Sequence, residues 1–332
     1  YESNYPYIEV LLLKIDLWAK DDINYDNLGF VQIINEAEID NIVESILEMP
    51  KTESKNLILH FEETMTSIPD KLFDIPNIVG IQYEGDILNY VSDRLFDYTS
   101  IRRLLIENAT IPKPDEFCKK LKKLKNLEAV SLKIDENSMR QIFELTNLKY
   151  IVLTSTNKSN FRVPDNICNF DGLIQFYLEN FHTITFPNSI SNCKTIRNIK
   201  LSADSIDWRN LELIDKSMLT SLDISCLQPQ NDTFTISNCN EFKNIKFLYY
   251  QGYHITPSVI DSLKKIRSLQ SIVFRNCNFD YRTLMAIEKS DLDMEFRIYM
   301  SCENFIPFYD MRRMTGLERP QVEFFFQNMQ YK

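Results

Sequence analysis

One spacing recurs along most of this chain and limits what it can fold into. Its clearest instance is Leu173-Ile-Gln-Phe176-Tyr-Leu178, with apolar residues at the first, fourth and sixth positions and mostly polar ones between. The same frame returns at Ile78/Ile81/Tyr83, Ile101/Leu104/Ile106, Leu127/Val130/Leu132 and Leu148/Ile151/Leu153. It continues at Ile196/Ile199/Leu201, Leu219/Leu222/Ile224, Ile245/Leu248/Tyr250 and Leu269/Ile272/Phe274. Start-to-start gaps run from about 21 to 26 residues, the period of a stacked array whose units cannot bury their apolar edges alone. The length of 332 residues would otherwise suggest about two globular domains. A stack grows by adding coils and needs no second core.

Several of these coils carry a longer lead-in. Ile68-Pro69-Asp-Lys-Leu72-Phe-Asp-Ile75-Pro-Asn-Ile78 is one, and Val163-Pro164-Asp-Asn-Ile167-Cys-Asn-Phe170-Asp-Gly-Leu173 is another. Phe186-Pro187-Asn-Ser-Ile190-Ser-Asn-Cys193-Lys-Thr-Ile196 repeats it, and Ile255-Thr-Pro257-Ser-Val-Ile260-Asp-Ser-Leu263 is a looser copy. Proline fixes φ and removes an N–H as the chain leaves the strand. The apolar residues three apart that follow suit a short helical or 3₁₀ return segment. On these residues the chain resembles the plant- and bacterial-type leucine-rich repeat family. The resemblance implies an α/β solenoid, a curved horseshoe with a parallel β-sheet on its concave face and short helices, 3₁₀ turns and loops on its convex face. The match is divergent. The Asn that the family places at the ninth position is replaced by Asp86, Ala109, Asp135, Thr156, Phe181, Asp204, Leu227, Tyr253 and Cys277, so irregular loops are expected.

The ends are organised differently. Leu28/Val31/Ile33 and Ile8/Leu11/Leu13 fit two early rungs, and Leu57 and Leu59 fit the fourth and sixth positions of another. Glu36 to Met49 places Ile39, Ile42, Val43, Ile46 and Leu47 on one helical face, and Pro50 stops it. Met294/Phe296/Ile298/Met300 alternate as a last strand, followed by an aromatic tail with Phe308, Tyr309, Phe324, Phe325 and Phe326. The expected organisation is a capping region at 1–53, an array of about ten repeats at 54–305 and an aromatic cap at 306–332. No conventional cap precedes Ile8 and the chain does not begin with Met, so either a leader has been removed or the chain has been trimmed.

Composition excludes some functions. The net charge of -10 argues against nucleic acid as a partner, which needs a basic stripe to release counterions. The one basic cluster, Lys119-Lys120-Leu-Lys122-Lys123-Leu-Lys125, has its leucines in the repeat frame and reads as a solvated face. No apolar run reaches the roughly 20 residues of a membrane helix, so no membrane insertion is expected. Seven dispersed cysteines include no C-x-x-C pair, and three histidines show no ligand spacing to them, so no metal and no cofactor is expected. Cys193, Cys239 and Cys277 fall at core positions of the frame and read as small apolar fillers. Nucleotide-binding, nucleophile-elbow and zinc-protease motifs are absent, which points away from an enzyme. Three N-x-[ST] sequons, at Asn108, Asn157 and Asn231, are what chance would give in so Asn-rich a chain. Localisation stays open between the cytoplasm and secretion after leader removal.

Recognition is what remains. If the first, fourth and sixth positions point inward, the third, fifth and seventh line the open face. Two aromatic-rich groups then fall on that face: Tyr150, Val152 and Tyr177, and Phe247, Tyr249, Val273 and Tyr299, with Arg275 and Arg297 beside the second. Exposed groups of this kind mark interaction surfaces, whereas aromatic ladders can also simply stabilise a sheet. Between the groups, Lys200 and Asp223 sit in adjacent rungs and are expected to pair. The leading expectation is a non-enzymatic module that binds a protein partner through its concave face. A homodimer joined through the terminal regions is the alternative. A substrate adaptor in ubiquitin transfer is the third, weakened because 36–49 offers one helix rather than a recruiting pair.

Overall fold

The computed structural model describes residues 28–48, 56–206, 212–227, 239–288, 295–300 and 322–326. The chain divides into two compact units, Tyr1–Ile134 and Asp135–Lys332. In the first, strands β1 (Leu28–Ile33), β2 (Asn56–Phe61), β4 (Ile78–Tyr83), β6 (Arg103–Thr110) and β7 (Ala129–Ile134) pair in that order, all parallel. The short strands β3 (Ser67–Ile68) and β5 (Tyr90–Val91) pair separately. In the second unit β8 (Tyr150–Ser155) pairs with β10 (Gln175–Thr185), with β9 (Asn160–Arg162) alongside it. The parallel order continues through β11 (Asn198–Ile206), β12 (Ser221–Cys226), β13 (Phe247–Gln251), β15 (Ser271–Arg275), β17 (Glu295–Met300) and β18 (Val322–Phe326). The short pair β14 (His254–Ile255) and β16 (Asn278–Phe279) stands apart from that sheet.

The frame read from the sequence is the packing frame. Fourth and sixth positions stack in register from strand to strand: Ile81/Tyr83 on Leu104/Ile106, then Ile199/Leu201 on Leu222/Ile224 and Leu248/Tyr250 on Ile272/Phe274. Except for half-buried Leu222, all of these side chains are buried. Each such side chain taken fully from water contributes about 1.5–3 kcal/mol. The proline lead-ins do what their residues imply. Pro69, Pro164 and Pro187 cap 3₁₀ segments at Asp70–Asp74, Asp165–Asn169 and Asn188–Asn192. Those segments bury Leu72 and Phe73, Ile167, and Ile190 behind the strands. Pro257 instead opens an α-helix, Pro257–Leu263, burying Val259, Ile260 and Leu263.

The early rungs differ from expectation in one detail. Val31 pairs with Leu59 and Ile33 with Phe61, and these continue onto Ile81 and Tyr83. The fourth and sixth positions of this rung are therefore Leu59 and Phe61, not Leu57 and Leu59. A slip of two residues keeps every side chain on the same face, so alternation alone could not expose it. The helix forms at Ile39–Leu47 after a 3₁₀ turn at Glu36–Glu38, with Ile39 and Val43 buried and Leu47 exposed. The expected rung at Ile8 and most of the region 306–332 lie outside the described residues, apart from the backbone of β18.

The basic cluster is met by acids of its own and the preceding repeat. Lys119 bonds Asp115 at 2.6 Å, Lys120 bonds Asp93 at 2.6 Å, and Lys123 reaches Asp97 at 3.3 Å. All six described cysteines are free, and five of them are buried.

Candidate functional site

Side chains that face away from the core fall into three rows across the second unit. The fifth-position row runs Val152, Tyr177, Lys200, Asp223, Tyr249, Val273 and Arg297, each in register with the next. The third-position row includes Tyr150, Gln175, Asn198, Ser221 and Phe247. The seventh-position row includes Ser202, Ser225, Gln251, Arg275 and Tyr299. Register thus brings together most of the residues expected to form the face. Phe247 is 52% exposed and Arg275 is exposed. Val152, Tyr177, Tyr249, Val273 and Arg297 are half-buried. Tyr150 departs from expectation: it is 6% exposed, beside an equally buried Gln175. Its ring is packed rather than presented. The side chain of Tyr299 lies outside the described residues.

Among the described residues of the first unit, Phe30 is 64% exposed but the outward positions of the following strands are largely covered. Ile58, Val79 and Leu105 coalesce there into a buried apolar cluster, and Arg103 and Ser131 are buried as well. The expectation that the outward positions are wet throughout is corrected here. Apolar residues on adjacent strands lie close enough to touch and so cover one another.

The two expected aromatic groups flank a charged centre. Lys200 and Asp223 are register neighbours, yet the close partner of Lys200 is Glu179, at 2.7 Å. The expected Lys200–Asp223 bond is therefore not the one made, because Glu179 on the neighbouring strand takes the ammonium. Burial works against the charge on Lys200, and Glu179, with Asp223 and Tyr249, together more than offset it, so its pKa is raised. Asp223 accepts a hydrogen bond from the Ser225 hydroxyl at 3.4 Å. Burial pushes its carboxyl up to about 7; Lys200 and Arg275 pull it down and Glu179 pushes it further up. The Tyr249 hydroxyl donates to Gln251 at 3.3 Å. Burial also raises the phenols of Tyr177 and Tyr249, so both rings remain neutral hydrogen-bond donors.

No protein-family description and no curated protein matches this chain. Solved structures do. The crystal structure of an internalin from Listeria monocytogenes matches at 14% identity, over 80% of this chain and 77% of that one, with a TM-score of 0.52. The fold is a leucine-rich repeat solenoid. Two further repeat structures match more loosely. A leucine-rich repeat protein of Leptospira interrogans is 16% identical over 81% of this chain and 82% of its own, at a TM-score of 0.40. The leucine-rich repeat ectodomain of the Arabidopsis thaliana receptor kinase GASSHO1/SCHENGEN3 is 14% identical over 82% of this chain and 41% of its own, at 0.38.

The repeat solves its turn one residue earlier than the family pattern. Asn180, Gly252 and Asn276, all at the eighth position, have φ of 62, 80 and 48°. This is left-handed backbone, which Gly and Asn tolerate best. Asn180 donates from its side chain to the Ser155 carbonyl at 2.7 Å, and Asn108, also at the eighth position, reaches the Glu84 carbonyl at 3.2 Å. In these left-handed rungs the ninth residue, Phe181, Tyr253 or Cys277, is thereby released to the core. Phe181 is fully buried and its ring lies 5.3 Å from that of Phe161. Asn, Gly and Asn recurring one place before the expected Asn was the signal that could have shown this.

A second polar cluster joins β10, β11 and the residues just before β9. Asp204 accepts from His182 Nδ1 at 3.1 Å and Lys158 at 3.4 Å, and the His182 bond is the largest of the effects lowering its pKa. Among the described residues no group of His, Cys, Asp and Glu is arranged to hold a metal, and no helix is long and apolar enough to cross a membrane.

Proposed function

We propose that this protein is a non-enzymatic recognition module, and that it binds a protein partner through the outward face of the sheet in its second unit. The observation that carries this reading is the row Tyr177–Lys200–Asp223–Tyr249 together with Phe247. It sets large aromatic side chains, one of them more than half exposed, in fixed register on a rigid sheet. Aromatic anchors of this kind can each carry roughly 2 kcal/mol or more of binding. Side chains held by a sheet lose little further freedom on binding. The face offers hydrogen-bond donors, a carboxylate and rings, which is recognition chemistry and contains no bond-breaking step.

The test places a photo-cross-linking residue at Phe247, and separately at exposed Asn188 on a return segment. Each is exposed to extract from the native source. A discrete cross-link from position 247, absent from 188 and lost when Tyr177→Ala and Tyr249→Ala are added, is the expected result. Equal cross-linking from both positions, or a cross-link indifferent to the two tyrosines, would refute the reading.

A further inference from the structure

The centre of this face is a polar stretch between two tyrosines. Adjacent parallel strands lie about 4.8 Å apart, so Tyr177 and Tyr249, three strands removed, are about 14 Å apart along the row. Between them stand Lys200 and Asp223, flanked by Asn198 and Ser221 on one side and Ser202 and Ser225 on the other. Lys200 is drawn to Glu179 at 2.7 Å. Asp223 keeps a hydroxyl contact at 3.4 Å with Ser225, and among the described residues no cation lies within ion-pair distance of it. Its carboxylate is thus half-buried, with the Tyr249 ring beside it in the row and Tyr177 beyond Lys200, and the more distant charges of Lys200 and Arg275 only partly offset its burial. The chain as a whole carries a net charge of -10, which draws cationic surfaces towards it.

We propose, building on the recognition reading above, that Asp223 receives an arginine side chain of the partner protein, with the Tyr249 ring beside it as a stacking surface. A guanidinium is planar, pairs with a carboxylate through two parallel N–H donors, and stacks on aromatic faces. It therefore suits both the acceptor and the neighbouring Tyr249 ring. An acidic partner residue would instead meet two carboxylates, Asp223 and Glu179, with the ammonium between them already engaged. The charged and titratable groups around Asp223 are Tyr177 and Glu179 on β10, Lys200 on β11, Tyr249 on β13 and Arg275 on β15. An arriving guanidinium favours the ionised carboxylate. Binding then expels a proton and strengthens as pH rises through about 7.

The experiment uses the full chain and acetyl-arginine-amide as the probe, read by the ¹³C shift of the Asp223 carboxyl carbon. The expected result is a saturable shift at about millimolar probe, with affinity up to about tenfold higher at pH 8 than at pH 6. Asp223→Asn, nearly isosteric, should weaken probe binding about tenfold or more and remove its pH dependence. Acetyl-citrulline-amide and acetyl-glutamate-amide should produce no saturable change. Equal binding of the citrulline probe, tighter binding of the glutamate probe, or unchanged arginine binding by Asp223→Asn would each overturn the proposal. So would a wild-type carboxyl that the arginine probe does not move, which needs no variant to fold. If the Phe247 cross-link survives while the arginine probe fails, the arginine assignment falls and protein recognition stands.

Discussion

Gly252 shows how one residue can be fixed by its neighbours across a repeat. Its φ is 80°, and a Cβ there would stand 2.1 Å from the Cys226 carbonyl oxygen of the preceding rung. Both the backbone conformation and the available space require glycine. Asp223 is the opposite case, a residue whose surroundings oppose its charged form. Burial pushes its folded pKa up to about 7, well above the ordinary aspartate range, so the folded chain holds this proton more tightly than the unfolded chain. The resulting stability is complete below about pH 4 and is lost as pH rises through about 7. We predict that Asp223→Asn makes the protein more stable than the parent at pH 8 and leaves it little changed at pH 4. Urea unfolding at the two pH values checks this, and a variant less stable at pH 8 would contradict it.

Elements are set by what each strand stacks upon. The rung at β2 reads equally well with Leu57/Leu59 or Leu59/Phe61, since both keep alternation. Register with Val31 and Ile33 on one side and with Ile81 and Tyr83 on the other selects the second. Phe61 is buried and its ring lies 5.8 Å from that of Tyr83, whereas Leu57 is half-buried. Phe61→Ala should therefore cost about 3–5 kcal/mol and Leu57→Ala less than about 2. Chemical unfolding of the two variants decides between the registers, and a larger loss at Leu57 would restore the first. The return segments, by contrast, were legible from their prolines. Proline removes an N–H that the ladder would need, so a strand must end there whatever surrounds it.

At the scale of the molecule, a solenoid is held by contacts between neighbouring coils. Phe161, Phe143, Phe176 and Phe181 form one continuous set of ring contacts at 5.3–6.1 Å across β8 to β10 and their return segments. Phe181→Ala should cost about 3–5 kcal/mol, and the loss should be local. Amide hydrogen exchange should accelerate first in residues 150–206 and later in residues 56–110. Uniform acceleration over both ranges would show that the chain unfolds as one cooperative body instead.

The sequence by itself determined the repeat, its strand positions, its proline-led returns and the solenoid fold. Those follow from spacing and backbone chemistry, which are local. The sequence also placed Tyr177, Tyr249 and Phe247 on the outward face, because alternation fixes the side of a strand. Tertiary structure alone decided which outward residues meet water and which meet each other. Leu105 and Tyr150 share the alternation of Tyr249, yet both are buried. Lys200 has Asp223 beside it in register, yet it bonds Glu179. Burial and pairing depend on the reach of side chains from adjacent strands, many residues away in sequence, and no spacing rule along one strand contains that distance.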